Sequence, residues 1–396
     1  MTEWMPATDG GAANREPPEG YHLARPLPGR SIDLNYGFTG AGIDLDSCTA
    51  SIRRGSKSFH IASLLLPRHT RQAAHALYAF CRHSDDLIDD QARRPDALDR
   101  LRHRLDRLYD GAPCDYACDR AFARIVQKHA IAKAIPLALL DGFAMDMEGR
   151  RFHTIGEVKD YAARVASSVG LMMSLVMNEG DAWTLARAAD LGLAMQLTNI
   201  ARDVGEDARN GRLYLPLDWL REAGIDAEAF LAAPRFSPAL GHVVQRLLTA
   251  ADHHYQLGHA GIARLPANCH HAIRTAALTY QDIGRSIARN GFDSVNHRAH
   301  TTLPRKLALV VRAVQPALLP ADIARAAETA PADPAVLRLV TAAAASFQQA
   351  RAAAPHPYPS SSLENVASIM LRLQLRHRAE RQAQRQERWQ KVGRVV

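Results

Sequence analysis

Cysteine is scarce in this chain: five residues (Cys48, Cys81, Cys114, Cys118 and Cys269) out of 396. An odd count and the absence of a C-x-x-C pair argue against a disulfide framework and against the common zinc and redox motifs. Cys114 and Cys118 stand four apart, so reduced thiols in a reducing compartment are expected. Aromatic residues are also few, 6% of the total. No alternating strand set, hairpin signal or internal repeat appears, which removes sandwich, barrel and solenoid architectures. No run approaches the roughly 18 apolar residues needed to cross a bilayer. The N-terminus has no basic start followed by an apolar stretch, so no signal peptide is expected. These absences point to a cytoplasmic protein, soluble or peripheral at the inner face of the membrane.

What remains is a chain 47% hydrophobic and rich in Ala and Leu. Residues 1–45 carry Pro6, Pro17, Pro18, Pro26 and Pro28 with frequent glycine and no helical period, and read as a flexible leader. From about Cys48 to Arg312 helical patterns follow one another with short Pro and Gly breaks. An all-α domain over residues 46–316 is therefore predicted. Residues 317–396 read as an Ala/Pro-rich extension with one or two peripheral helices and a basic C-terminal helix. Between Arg372 and Val396 eight Lys and Arg face only Glu380 and Glu387, a net +6 of the chain's +8. With Leu371, Leu373, Leu375 and Trp389 alongside, that tail suits an anionic membrane surface, a solvated terminal helix being the other reading. No nucleic-acid partner is expected.

Two acidic clusters carry the chemistry. Asp85-Asp86-Leu87-Ile88-Asp89-Asp90 and Asp203-Val204-Gly205-Glu206-Asp207 each place aspartates four residues apart. On a helix that spacing stacks like charges on one face, which costs a few tenths of a kcal/mol. Such a run is poor helix design unless a cation belongs there, and hard divalent ions take oxygen ligands shared with substrate phosphates. Both clusters follow apolar stretches, so their carboxylates are expected to emerge from the interior. Arg82 lies one turn before Asp85, placed either for an ion pair or for a diphosphate. Gln196, Asn199, Asp203 and Asp207 recur at spacings of three and four, one polar stripe on an otherwise apolar helix. The adjacent pairs His253-His254 and His270-His271 point to different faces of a helix and read as structural or surface histidines.

Ser56-Lys57-Ser58-Phe59, Leu77 to Asp90, Tyr161 to Gly170, Gln196 to Pro216 and Gly261 to Pro266, in that order, resemble the squalene/phytoene synthase family, its bacterial phytoene synthases most closely. The resemblance covers about Cys48 to Arg312. It implies one isoprenoid-synthase-type helical domain around a central cavity. It also implies head-to-head joining of two geranylgeranyl diphosphates through a cyclopropyl diphosphate to phytoene, in carotenoid biosynthesis. Mg2+ or Mn2+ would be held by Asp85, Asp89, Asn199, Asp203 and Asp207, with Tyr161 beside these aspartates as a catalytic residue. Substrate contacts would fall on Ser56, Ser58, Tyr78, Arg82, Gln196, Asn199, Arg202, Arg212 and Tyr214. No NADPH is expected for phytoene, whereas a squalene-type synthase acting on farnesyl diphosphate is the alternative product class and can require it. Asp85-Asp86-Leu87-Ile88-Asp89 with Arg93-Arg94 also reads as the DDxxD of chain-elongating prenyl transferases, but the second cluster is not another DDxxD. A noncatalytic helical membrane adaptor would need neither cluster. Ala162 and Ser167 stand where family members often have Cys and Gly. A Ser at a close helix crossing would tighten the cavity wall.

Overall fold

The computed structural model describes residues 38–89, 96–315 and 320–353. Among the described residues all regular structure is helical. The first half runs α1 (Phe38–Gly55), α2 (Lys57–Ser63), α3 (Arg68–Asp89), α4 (Ala97–Tyr109), α5 (Ala117–Lys128) and α6 (Ala134–Met147). Then come α7 (Ile155–Ala162), one π-helical turn (Ala163–Ser167), α8 (Ser168–Val176), α9 (Ala182–Arg209), α10 (Leu217–Glu222) and α11 (Ala227–Ala232). The remainder is α12 (Pro238–Ile262), α13 (His270–Arg289), α14 (Leu303–Val314), α15 (Ala321–Thr329) and α16 (Leu337–Ala353). No described helix is long and apolar enough to cross a membrane. The five cysteines are all free.

Local signals set several of the boundaries. Thr154 accepts from the Glu157 amide at the start of α7, Asp181 from Thr184 at the start of α9, and Ser237 from Leu240 at the start of α12. Such caps satisfy amides that have no partner inside the helix, each typically worth about 1 kcal/mol. Helix α1 begins at Phe38, inside the stretch assigned to a leader ending at residue 45. The rest of that leader and the whole basic tail, Arg372–Val396, lie outside the described residues.

The long helix α9 is the axis of the molecule. Small residues let its neighbours come close: a Cβ on Gly192 would stand 2.6 Å from the Ser167 Cα. Ser167 itself is buried and donates its hydroxyl to the Ala189 carbonyl at 2.7 Å, so its extra atom ties the π turn to α9. On the other side α12 packs along α9, where a Cβ on Gly261 would lie 2.3 Å from the Arg187 Cβ.

Of the two helices of the C-terminal extension, α15 lies at the surface with Ala327 buried, whereas α16 is not peripheral. Val336, Val340, Ala343 and Ala344 belong to the hydrophobic core formed with α3, α5, α6 and α8. Arg187 of α9, fully buried, donates to the carbonyls of Ala327 (3.0 Å), Ala330 (3.3 Å) and Pro331 (3.1 Å). Its guanidinium also pairs with Asp190 (3.0 Å), which in turn is bonded to the buried His254 (2.8 Å). Lys159 reaches Asp333 at 3.0 Å. His270 and His271 bond the carbonyls of Leu265 and Ala313. His254, His270 and His271 therefore sit in structural roles and His253 is exposed, in line with the reading of both pairs as structural or surface histidines.

Candidate active site

The first acidic cluster is the last turn of α3. Arg82 pairs with Asp85 at 3.3 Å and with Asp86 at 2.6 Å, so the ion pair expected from the spacing is present twice. The side chains of Asp85 and Asp89 are 44% and 55% exposed. These carboxylates stand half-exposed at an open mouth, while Ser84 and Ile88 on the other side of the same turn stay buried in the core. Burial and the neighbouring Asp89 still push the Asp85 carboxyl up to about 6. Asp90, and with it the second spaced pair, and Arg93-Arg94 lie outside the described residues.

The second cluster belongs to the C-terminal half of α9, and it is more enclosed. Asp203 is 15% exposed and is gripped by Arg202 and by Arg298, each donating through Nε at 2.8 Å. Arg298 also pairs with Glu206 at 2.9 Å. Asn199 donates to Gln196 at 3.3 Å, while its own Oδ1 is buried without a partner. Burial and Asp203 push the Asp207 carboxyl up to about 7. Gly211, at φ +73, ends α9 and turns the chain so that Arg212 reaches Asp89 at 3.3 Å. That ion pair joins the loop after the second cluster to the helix of the first, so the two clusters face each other.

Between them stands Asp146, near the end of α6. It accepts from the Tyr214 hydroxyl at 2.7 Å and from the Tyr161 hydroxyl at 3.1 Å. The two rings stack with centroids 5.2 Å apart, and Phe152 closes the group at 5.3 Å from Tyr161. Behind this polar mouth lies an apolar cavity of about 350 Å³, whose polar edge includes Tyr78, Gln196, Asn199 and Tyr280. Its deep end is lined by Leu66, Met173, Met177, Leu265 and Ala272. Phe59 stacks on Tyr280 at 5.2 Å and meets Tyr78 edge-on. Ser56 caps α2 by accepting from the Phe59 amide at 3.2 Å, and Ser58 is half-buried in the first turn of that helix.

Among the described residues no three carboxylates, imidazoles or thiolates converge on one point. Arginines engage Asp85, Asp86, Asp89 and Asp203 instead. The donor set nevertheless fits a hard divalent ion: it is all oxygen, it includes the orphaned Asn199 carbonyl, and two of its carboxyls are raised by burial and then by neighbouring carboxylates. The structure brings together Asp85, Asp89, Arg82, Asp203, Asp207, Asn199, Gln196, Arg202, Arg212, Tyr161, Tyr214 and Tyr78. Three further residues escaped the sequence. Asp146 has no carboxylate four positions away to mark it, Arg298 lies in a loop without period, and Tyr280 looks like any core aromatic on an apolar helix face.

A family model for squalene/phytoene synthases matches residues 52–305. A phytoene synthase of Cereibacter sphaeroides is 48% identical over 315 residues, covering 77% of this chain and 89% of that protein. One from Rhodobacter capsulatus is 45% identical over 308 residues, covering 77% and 91%. Among solved structures, a dehydrosqualene synthase bound to a ligand superposes with a TM-score of 0.64 at 28% identity, covering 70% of this chain and 97% of that one. Two facing acidic helix ends over an apolar cavity, built from segments that fall almost wholly within the matched span, place the protein: it is a prenyl transferase and belongs to the squalene/phytoene synthase family.

Proposed function

We propose that the chain joins two molecules of geranylgeranyl diphosphate head-to-head to give phytoene, for carotenoid biosynthesis. The observation that carries this reading is the Arg212–Asp89 pair, which sets both acidic clusters around one mouth above an apolar cavity. Relatives bearing the phytoene synthase name, at up to 48% identity, support the C20 substrate over the C15 one.

Asp85, Asp89, Asn199, Asp203 and Asp207 would hold Mg2+ or Mn2+. When bound, the metal supplies Lewis-acid stabilisation of a departing diphosphate. Arg82, Arg202, Arg212 and Arg298 ring the same mouth and can exchange their carboxylate partners for phosphate oxygens, the bidentate geometry guanidinium favours. The allylic C–O bond of one substrate breaks and its electron pair leaves on diphosphate. The double bond of the second substrate attacks the cation, and proton loss gives a cyclopropyl diphosphate. A second ionisation, rearrangement and proton loss give phytoene, with no reductant consumed. The apolar wall from Leu66 to Ala272 keeps water from the cations.

The basic tail, Arg372–Val396, is proposed to hold the enzyme against an anionic inner membrane surface, where its hydrocarbon product belongs. The deciding experiment is incubation with geranylgeranyl diphosphate and Mg2+, with and without NADPH, followed by product identification. Phytoene irrespective of NADPH is expected. A squalene-type product carrying NADPH hydride would move the chain to another branch of the family.

A further inference from the structure

Asp146 differs from the arginine-paired carboxylates at the mouth. Arginines engage Asp85, Asp86, Asp89 and Asp203, but the hydrogen-bond partners of Asp146 are two phenols, one on each oxygen. Those phenols come from separate parts of the chain, Tyr161 from the end of α7 and Tyr214 from the loop after α9, and are joined by this carboxylate and by their stacked rings. Burial and the Asp146 charge keep both hydroxyls protonated, since each is raised above the ordinary phenol range. A phenol has one proton to donate. With that proton committed to Asp146, its lone pairs are turned away from the carboxylate. Hydrogen bonding to an anion also enriches its oxygen and ring in electron density. Tyr214 stands two residues after Arg212, whose guanidinium bonds Asp89 of the first cluster, so the phenols stand beside the place where diphosphate departs.

We propose that Asp146 is a positioning residue: by holding the hydroxyl protons of Tyr161 and Tyr214 on itself, it leaves two electron-rich phenols at the mouth that offer oxygen lone pairs, and no proton, to the reacting allylic substrate. An oriented dipole of this kind acts where charge develops and needs no reorganisation during the reaction. A free phenol at the same place would donate its proton to diphosphate or water and present its positive end to the cation. This inference rests on the proposed head-to-head reaction.

The test uses the full-length protein and whichever prenyl diphosphate the wild type turns over. Asp146→Asn keeps the shape and removes the charge. Its kcat is expected to fall about 100-fold, the usual loss when one preorganised electrostatic contact is removed. KM and the Mg2+ concentration for half-maximal rate should stay as in the wild type. The product should shift from the C40 hydrocarbon towards cyclopropyl diphosphate and prenyl alcohols, the signature of cations that escape. Tyr161→Phe combined with Asp146→Asn should lose no more than the worse single variant, because one unit is broken twice. Tyr214→Phe, which leaves the carboxylate and one donor in place, shows a smaller shift of the same kind and serves if Asp146→Asn folds poorly by circular dichroism. A raised Mg2+ requirement would make Asp146 a metal ligand and overturn the proposal, as would additive losses or an unchanged product ratio in folded variants. If the wild type makes no phytoene from geranylgeranyl diphosphate, the functional reading fails while the Asp146 comparison is still read on the substrate it does use.

Discussion

Single carboxylates at the mouth have unlike energetic roles. Asp203 is well enclosed and held by two arginines, so Asp203→Ala should abolish turnover and also lower stability by about 1–3 kcal/mol, by stranding Arg202. Asp85 is half-exposed and raised by its neighbours, so Asp85→Ala should abolish turnover with the melting temperature of the metal-free protein unchanged or slightly higher. Near-normal turnover of either variant at saturating Mg2+ would remove that cluster from the metal site. Asp207 gives a pH signature. Its carboxyl is raised from 3.8 to about 7 in the fold, so the stability it contributes is full below about pH 4 and is lost as pH rises through about 7. In chelator, wild-type melting should therefore fall from pH 5 to pH 8 relative to Asp207→Asn, and Mg2+ should cancel the difference. A wild type parallel to the variant across that range would sink the assignment.

At the scale of helices, the repeating features were legible and the crossings were not. The four-residue spacing of aspartates and the Gln196–Asp207 stripe follow directly from the helical period, and both clusters landed on the helices they predict. The role of α15 and α16 was not legible, because an Ala-rich pattern gives no strong apolar face and Arg187 reads as an ordinary charged residue until its carbonyl partners are in place. Asp146 stayed hidden for the same reason, since its partners come from two other elements. Removing the Arg187 side chain strands three carbonyls and Asp190, a loss of about 3–5 kcal/mol for a broken buried pair. Arg187→Ala should accordingly open the α15–α16 segment to limited proteolysis before the rest of the chain. Cleavage as slow as in the wild type would show that the core contacts of Val340 and Ala343 suffice alone.

For the molecule as a whole, substrate length is set by the cavity. The C20 diphosphate has five more carbons than the C15 one, and at about 0.8 kcal/mol per buried CH2 a cavity open to its end gains up to about 4 kcal/mol from them. Competition between equal concentrations should thus give mainly C40 product. Ala272→Phe, which fills the end lined by Leu66 and Met177, should move the mixture towards C30. An unmoved ratio would mean that the chain end lies elsewhere. Deleting residues 372–396 should leave turnover intact and weaken sedimentation with anionic vesicles at low salt. Unchanged sedimentation would favour a solvated tail. The anchoring of α15 and α16 on α9 has a consequence for biosynthesis. Helix α9 leaves the ribosome well over a hundred residues before the carbonyls of Ala327, Ala330 and Pro331 that satisfy Arg187, and until they have emerged the helix bearing the second metal cluster carries a guanidinium balanced by Asp190 alone. Nascent chains arrested before that point are expected to be chaperone and protease substrates, so that the active site closes only after residue 331 has been made.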